Sequence, residues 1–136
     1  MEAMGAVRFD RSRWPIVVAE LEGKPSDDDV AEYLRGLRQL LDEEPRTRGV
    51  LIVDLTRAAP ATSEQRRRVG EWMRQHRDAL AVRGLGSAFV IPSPVFRFVL
   101  SSVFLIQRPP MEYTVVATLA EALTWARGRL PLRGRP

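Results

Sequence analysis

Apolar positions along this chain follow two periods, and the switches between them predict alternating strands and helices. Residues 14–22 (WPIVVAELE) begin β-branched and then alternate Ala19 and Leu21 against Glu20 and Glu22, the pattern of a strand half-exposed along its second part. The short AVRFD at 6–10 lies only a few residues ahead, which predicts an antiparallel hairpin with an edge strand. Val30, Leu34, Leu37 and Leu41 recur at spacings of 4, 3 and 4, one stripe of a helix ending near Glu44. GVLIVDL at 49–55 is continuously apolar up to Asp54, as in a strand covered on both faces of a parallel or mixed sheet. After a loop at 56–61, a helix from Thr62 carries Val69, Met73, His76 and Leu80 on one face. A buried strand at 85–91, a helix from Pro94, a strand at 113–117 and a last helix complete the chain. That last helix buries Leu119, Ala122, Leu123, Ala126 and Leu130, with Trp125 adjoining.

Helix starts are well marked. Ser26 reads as an N-cap followed by Asp27, Asp28 and Asp29, whose charges meet the positive end of the helix dipole. A cap accounts for these carboxylates without a metal. Thr62 with Gln65, and Thr118 with Glu121, have the capping-box spacing. Ser93 and Pro94 form an N-cap with proline at the first helical position. The order β-β-α-β-α-β-α-β-α predicts a single-domain α/β sandwich with a mixed, mostly parallel sheet of about five strands flanked by four helices. The domain is expected over 1–130, with 131–136 a frayed tail.

One stretch departs from this amphipathic order. AFVIPSPVFRFVLSSVFLI at 88–106 is a strand, a Ser-Pro break and a helix with Arg97 as its sole charge. At 100° per residue Val95, Phe96, Val99, Val103 and Ile106 form one stripe that a core would cover. Phe98 and Leu105 lie off that stripe, with Phe104 at its margin. Three readings stay open for this surplus: deep burial between sheet and neighbouring helices, a hydrophobic ligand, or another subunit. A membrane span needs about 20 apolar residues; Pro92, Ser93, Pro94 and Arg97 interrupt the 85–106 run, so no span is expected.

Composition narrows the function classes. At 136 residues the chain suits one domain with a core that needs no disulfide or metal. There is no cysteine, hence no thiolate metal site and no thiol nucleophile. With no apolar leader at the N-terminus, a cytoplasmic protein is expected. The net charge of +4 equals the four arginines at 127, 129, 133 and 135, so the body is formally neutral. The arginines at 66–68, 74 and 77 read as a solvated helix face, with no interleaved aromatics for base stacking, and nucleic acid is not an expected partner. His76 is the one candidate general base, with Asp54 or Ser93 as partners only if the fold brings them together.

The order of elements, with Gly23 ending the opening strand pair, VLIVDL ending in Asp54, AFVIPS, and the closing TVVATLAEALTWARGRL, resembles the STAS superfamily and its SpoIIAA-like bacterial branch across residues 7–130. The resemblance implies a non-enzymatic signalling domain without cofactor or metal. It also implies a serine or threonine, phosphorylated by a partner kinase, at the start of the helix after the third strand. The matching positions are Thr62 and Ser63, with Thr56 weaker; the Asp-Ser-Ser-Gly pattern of phosphorylated members is absent. The branch is similar in fold to CRAL-TRIO lipid carriers, and its third and fourth helices are thought to part around apolar ligands. The expected function is therefore a non-catalytic module that binds a partner protein, a second copy of itself or a small apolar molecule through Phe96, Phe98, Phe104 and Leu105. The alternatives are an anti-anti-sigma-type phosphorylation switch and an enzyme built on His76.

Overall fold

A computed structural model describes residues 6–42, 48–106 and 108–130. The elements are β1 (Ala6–Arg13), β2 (Ile16–Gly23), α1 (Asp27–Asp42), β3 (Gly49–Ala58), α2 (Ser63–Gln75), α3 (Arg77–Arg83), β4 (Gly84–Val90), α4 (Pro94–Ile106), β5 (Tyr113–Val116) and α5 (Leu119–Arg129). Five strands form one sheet in the order β1-β2-β3-β4-β5; β1 and β2 are antiparallel and the later pairs are parallel. This is the mixed sheet that the pattern predicts. The predicted helix end near Glu44 and the tail 131–136 lie outside the described residues, as do the side chains of Val99, Ser102, Val103, Leu105 and Ile106.

The strand order decides where the helices go. A sheet that grows in one direction, with crossovers of one hand, sends every crossover helix to the same face. The helices α1 to α4 therefore share one face, and α5, which follows the last strand, returns over the other. Beneath α5 the packing is close. Ile16, Val18, Val50, Ile52, Ala88 and Val90 meet Ala122 and Ala126, both fully buried. Gly86 lets the Trp125 ring come down onto β4: a Cβ there would sit 2.6 Å from the indole.

On the opposite face a second cluster forms around α1. Val30, Leu34 and Leu37 of α1 pack with Phe9, Tyr33, Leu51, Val69 and Trp72. Gly36 leaves room for the Phe9 ring, which a Cβ would overlap. Arg83 donates to the Leu40 and Leu41 carbonyls and so closes the C-terminal end of α1.

Several expectations are corrected. The four-helix layout holds, but the predicted helix through His76 is divided there into α2 and α3. The His76 ring Nδ1 lies 2.8 Å from the Trp72 carbonyl, one turn back, and its backbone leaves the helical region at φ −109° and ψ 20°. A side chain that competes for an i−4 carbonyl bends or ends a helix. The first and third strands run further than predicted, to Arg13 and Ala58, so Thr56 lies on β3 rather than in a loop. Val95, placed on the core stripe by periodicity, is 74% exposed.

Candidate functional site

The helices α2 and α4 make an uneven layer over the sheet. In α2 only Gln65 is buried, and among the described side chains of α4 only Phe104 is. Between these helices and the sheet runs a cleft of about 610 Å³. Its floor is Leu51, Val53 and Leu55 of β3 with Ser87 and Phe89 of β4; its walls include Tyr33, Val69, Trp72 and Met73. Phe96, Leu100 and Phe104 line it from α4 at one-turn spacing. Its volume falls within the range of roughly 300–1,000 Å³ typical of small-molecule sites.

The four apolar residues singled out in the sequence separate here. Phe96 and Phe104 line the cleft. Phe104 is 7% exposed and wedged between Phe89 and Tyr113, with ring centroids 5.1 and 4.7 Å away, so it is core rather than free surface. Phe98 is 74% exposed on the outer side of the helix, one turn from the equally exposed Val95. The Leu105 side chain is outside the described residues. Arg97 donates to the Ile91 and Pro92 carbonyls at 3.0 and 2.9 Å, which pins the start of α4 to the end of β4 and fixes which face turns inward.

The hydroxyl candidates also separate. Thr62 accepts from the Gln65 N–H at 3.0 Å while Gln65 Oε1 accepts from the Thr62 N–H at 3.0 Å, the capping box that the sequence predicts. The Gln65 amide donates onward to the Pro25 carbonyl and Asp27 Oδ1, at 3.0 and 3.2 Å, tying the two helix starts together. Thr56 donates its hydroxyl to Asp54 Oδ1 at 2.5 Å. Ser63 is exposed at the first position of α2 and accepts from the Arg66 guanidinium at 3.1 Å. Of the three, Ser63 combines access, a neighbouring cation and a helix N-terminus.

His76 is not a wall of the cleft. Its ring stacks on Trp72 at 4.1 Å, and Nε2 lies 2.8 Å from Arg38 Nη1. With Nδ1 donating to the Trp72 carbonyl, Nε2 accepts from arginine and both ring nitrogens are engaged. Among the described residues no carboxylate bonds to this ring, the arrangement that a catalytic reading requires. Ser26 and Asp29 bond reciprocally, 3.0 Å from the Asp29 N–H to Ser26 Oγ and 2.8 Å from the Ser26 N–H to Asp29 Oδ2, so the acidic run is a cap. No acidic or histidine cluster suited to a metal occurs among the described residues, and no described helix is long and apolar enough to cross a membrane.

The cleft's other walls escaped the sequence reading. Trp72 and Tyr33 were left off the stripes drawn for their helices, and the arginines at 74 and 77 read as a solvated helix face. Burial pushes the Tyr33 phenol upward from its ordinary value, so it stands in the wall as a neutral hydroxyl.

No family model matches the chain, and no curated protein matches it in sequence. Solved structures do. An uncharacterized protein of the DUF3478 family with a SpoIIAA-like fold, from Shewanella loihica, is 15% identical, with a TM-score of 0.67 over 93% of this chain and 98% of its own. An anti-sigma factor antagonist from Mycobacterium paratuberculosis is 14% identical, at 0.58 over 90% and 94%. The anti-sigma factor antagonist SpoIIAA in its unphosphorylated form is 23% identical, at 0.63 over 90% and 99%. The chain therefore has the SpoIIAA-like fold that its element order implies.

Proposed function

We propose that this protein is a non-catalytic STAS-like binding module that holds a small hydrophobic ligand between α2, α4 and the sheet. The observation that carries the reading is the apolar cleft of about 610 Å³ under Phe96, Leu100 and Phe104. The cleft opens to solvent and its lining is mostly apolar, so an apolar occupant would remove that lining from water. A cleft of this kind is suited to an apolar occupant.

The test uses N-phenyl-1-naphthylamine, a neutral apolar fluorophore. The expected result is saturable binding to one site, abolished by Leu100→Trp, which fills the cleft, and retained by Phe98→Asp on the outer face. An absence of saturable binding, or a Leu100→Trp protein that still binds the probe, overturns the reading.

A second reading, docking of a protein partner under phosphorylation control, draws support from Ser63 and from the outward pair Val95 and Phe98. Two of the structural neighbours are anti-sigma factor antagonists, which by that name act on another protein. Phosphate on Ser63 would meet Arg66 and the positive end of α2. Self-association measured by sedimentation is expected to weaken in Phe98→Asp if a second copy covers this pair; unchanged sedimentation removes the homodimer from the reading.

A further inference from the structure

The cleft has different charges at its two ends, and the fold explains why. Both α2 and α4 run back against the parallel strands, so their C-terminal ends lie over the edge where β3 and β4 begin. Arg74 in the last turn of α2, Arg77 at the start of α3 and Arg108 just beyond α4 are thereby gathered at that end, and all three line the cleft. Each is exposed, and none of the three guanidinium groups has an ion pair or hydrogen bond with a described residue. Neighbouring arginines are engaged: Arg67 with Glu64 and Glu71, Arg66 with the Ala61 carbonyl and Ser63. At the opposite end the cleft is lined by Glu22, Asp29 and Arg66, where Glu22 pairs with Arg57 and the Arg66 guanidinium is already bonded to the Ala61 carbonyl and Ser63. The apolar floor between the two ends follows β3 from Leu51 to Ala58 and on to Ala59, about 25 Å at a strand rise of roughly 3.3 Å per residue.

From this geometry we infer that the cleft takes a single-chain amphiphile with an anionic head, its carboxylate or phosphate held by Arg74, Arg77 and Arg108 and its chain lying along β3 beneath α4. The inference rests on the apolar-cleft reading above and adds the head group and the orientation. Guanidinium groups without a carboxylate partner among the described residues are suited to bidentate contact with either anion. The elongated floor suits an extended chain better than a compact ring system.

The experiment compares dodecanoate, dodecyl phosphate and dodecanol, all below micelle-forming concentrations, as competitors of the bound naphthylamine. Against the wild-type protein at least one of the two anions is expected to compete at least tenfold more strongly than the alcohol, and that advantage should shrink with added salt. In the double variant Arg74→Gln, Arg108→Gln the advantage should fall below threefold while dodecanol competes as before; circular dichroism checks that the variant is folded. Which anion wins identifies the head as carboxylate or phosphate. Equal competition by all three compounds overturns the anionic-head inference and leaves the apolar cleft standing. Failure of dodecanol and the naphthylamine to bind at all overturns the cleft reading itself. Binding of several molecules per chain marks detergent-like adsorption and overturns the inference.

Discussion

Gln65 carries more of this fold than its place in a capping box suggests. Its carbonyl oxygen caps its own helix, and its amide nitrogen donates to Pro25 and Asp27 at the start of α1. The rules of helix starts rate glutamate as equal to glutamine at this position. The structure predicts otherwise. Gln65→Glu keeps the cap but turns a buried donor into an acceptor facing a carbonyl and a carboxylate. A loss of about 1–3 kcal/mol is expected, read from the urea midpoint; an unchanged midpoint refutes the tie between helix starts. Tyr33 gives a second test. Its pKa is raised in the folded protein, so the folded state holds the phenolic proton more tightly than the unfolded chain does. The stability this contributes is fully present below the ordinary value of 10.0 and is lost as pH rises beyond it. Tyr33→Phe should therefore lose less stability than wild type between pH 8 and pH 11, roughly the interval that brackets phenol ionisation. Parallel urea midpoints for the two proteins across that interval would show that the hydroxyl is not desolvated.

At the scale of elements, the two faces of the sheet respond to added volume in opposite ways. Under α5, Ala122 and Ala126 are fully buried and the Trp125 ring rests on Gly86, so nothing larger fits. Ala126→Leu is expected to destabilise by about 1–3 kcal/mol through overpacking. Leu100→Trp adds more volume but adds it over the cleft, and should leave the melting temperature unchanged or higher. Thermal unfolding followed by circular dichroism compares them directly; equal destabilisation by both would mean that α4 is packed as closely as α5. This asymmetry also marks what could be read from the chain. The caps at Ser26, Thr62, Ser93 and Thr118, and the apolar run of β3, are local signals, and the structure carries them. The break at His76 is not local: it depends on a ring that meets both the Trp72 carbonyl and Arg38, 38 positions away. The rotation of α4 was equally hidden. A helix apolar on nearly every side has no polar face to orient it, and Arg97 bonding back to Ile91 and Pro92 sets the inward stripe instead.

At the scale of the whole molecule, a strand order that follows the chain order places four helices on one face and a single one on the other. Here α1 takes the contact with β1, while α2 leans on α1 and α3 rather than on the strands. The cleft lies between these helices and the sheet. Local opening costs least where few apolar contacts hold an element down. Amide hydrogen exchange should therefore be slowest in β2, β3, β4 and α5 and distinctly faster in α2 and α4, although all are regular secondary structure. A bound amphiphile should change only the second group: with dodecanoate or dodecyl phosphate, α2 and α4 gain protection while the central strands, already held by the α5 side, do not. Equal protection of α4 and α5 in the unliganded protein would mean that the upper helices are seated without an occupant. Slowed exchange in α2 and α4 on binding would identify them as the part of the fold that the ligand orders.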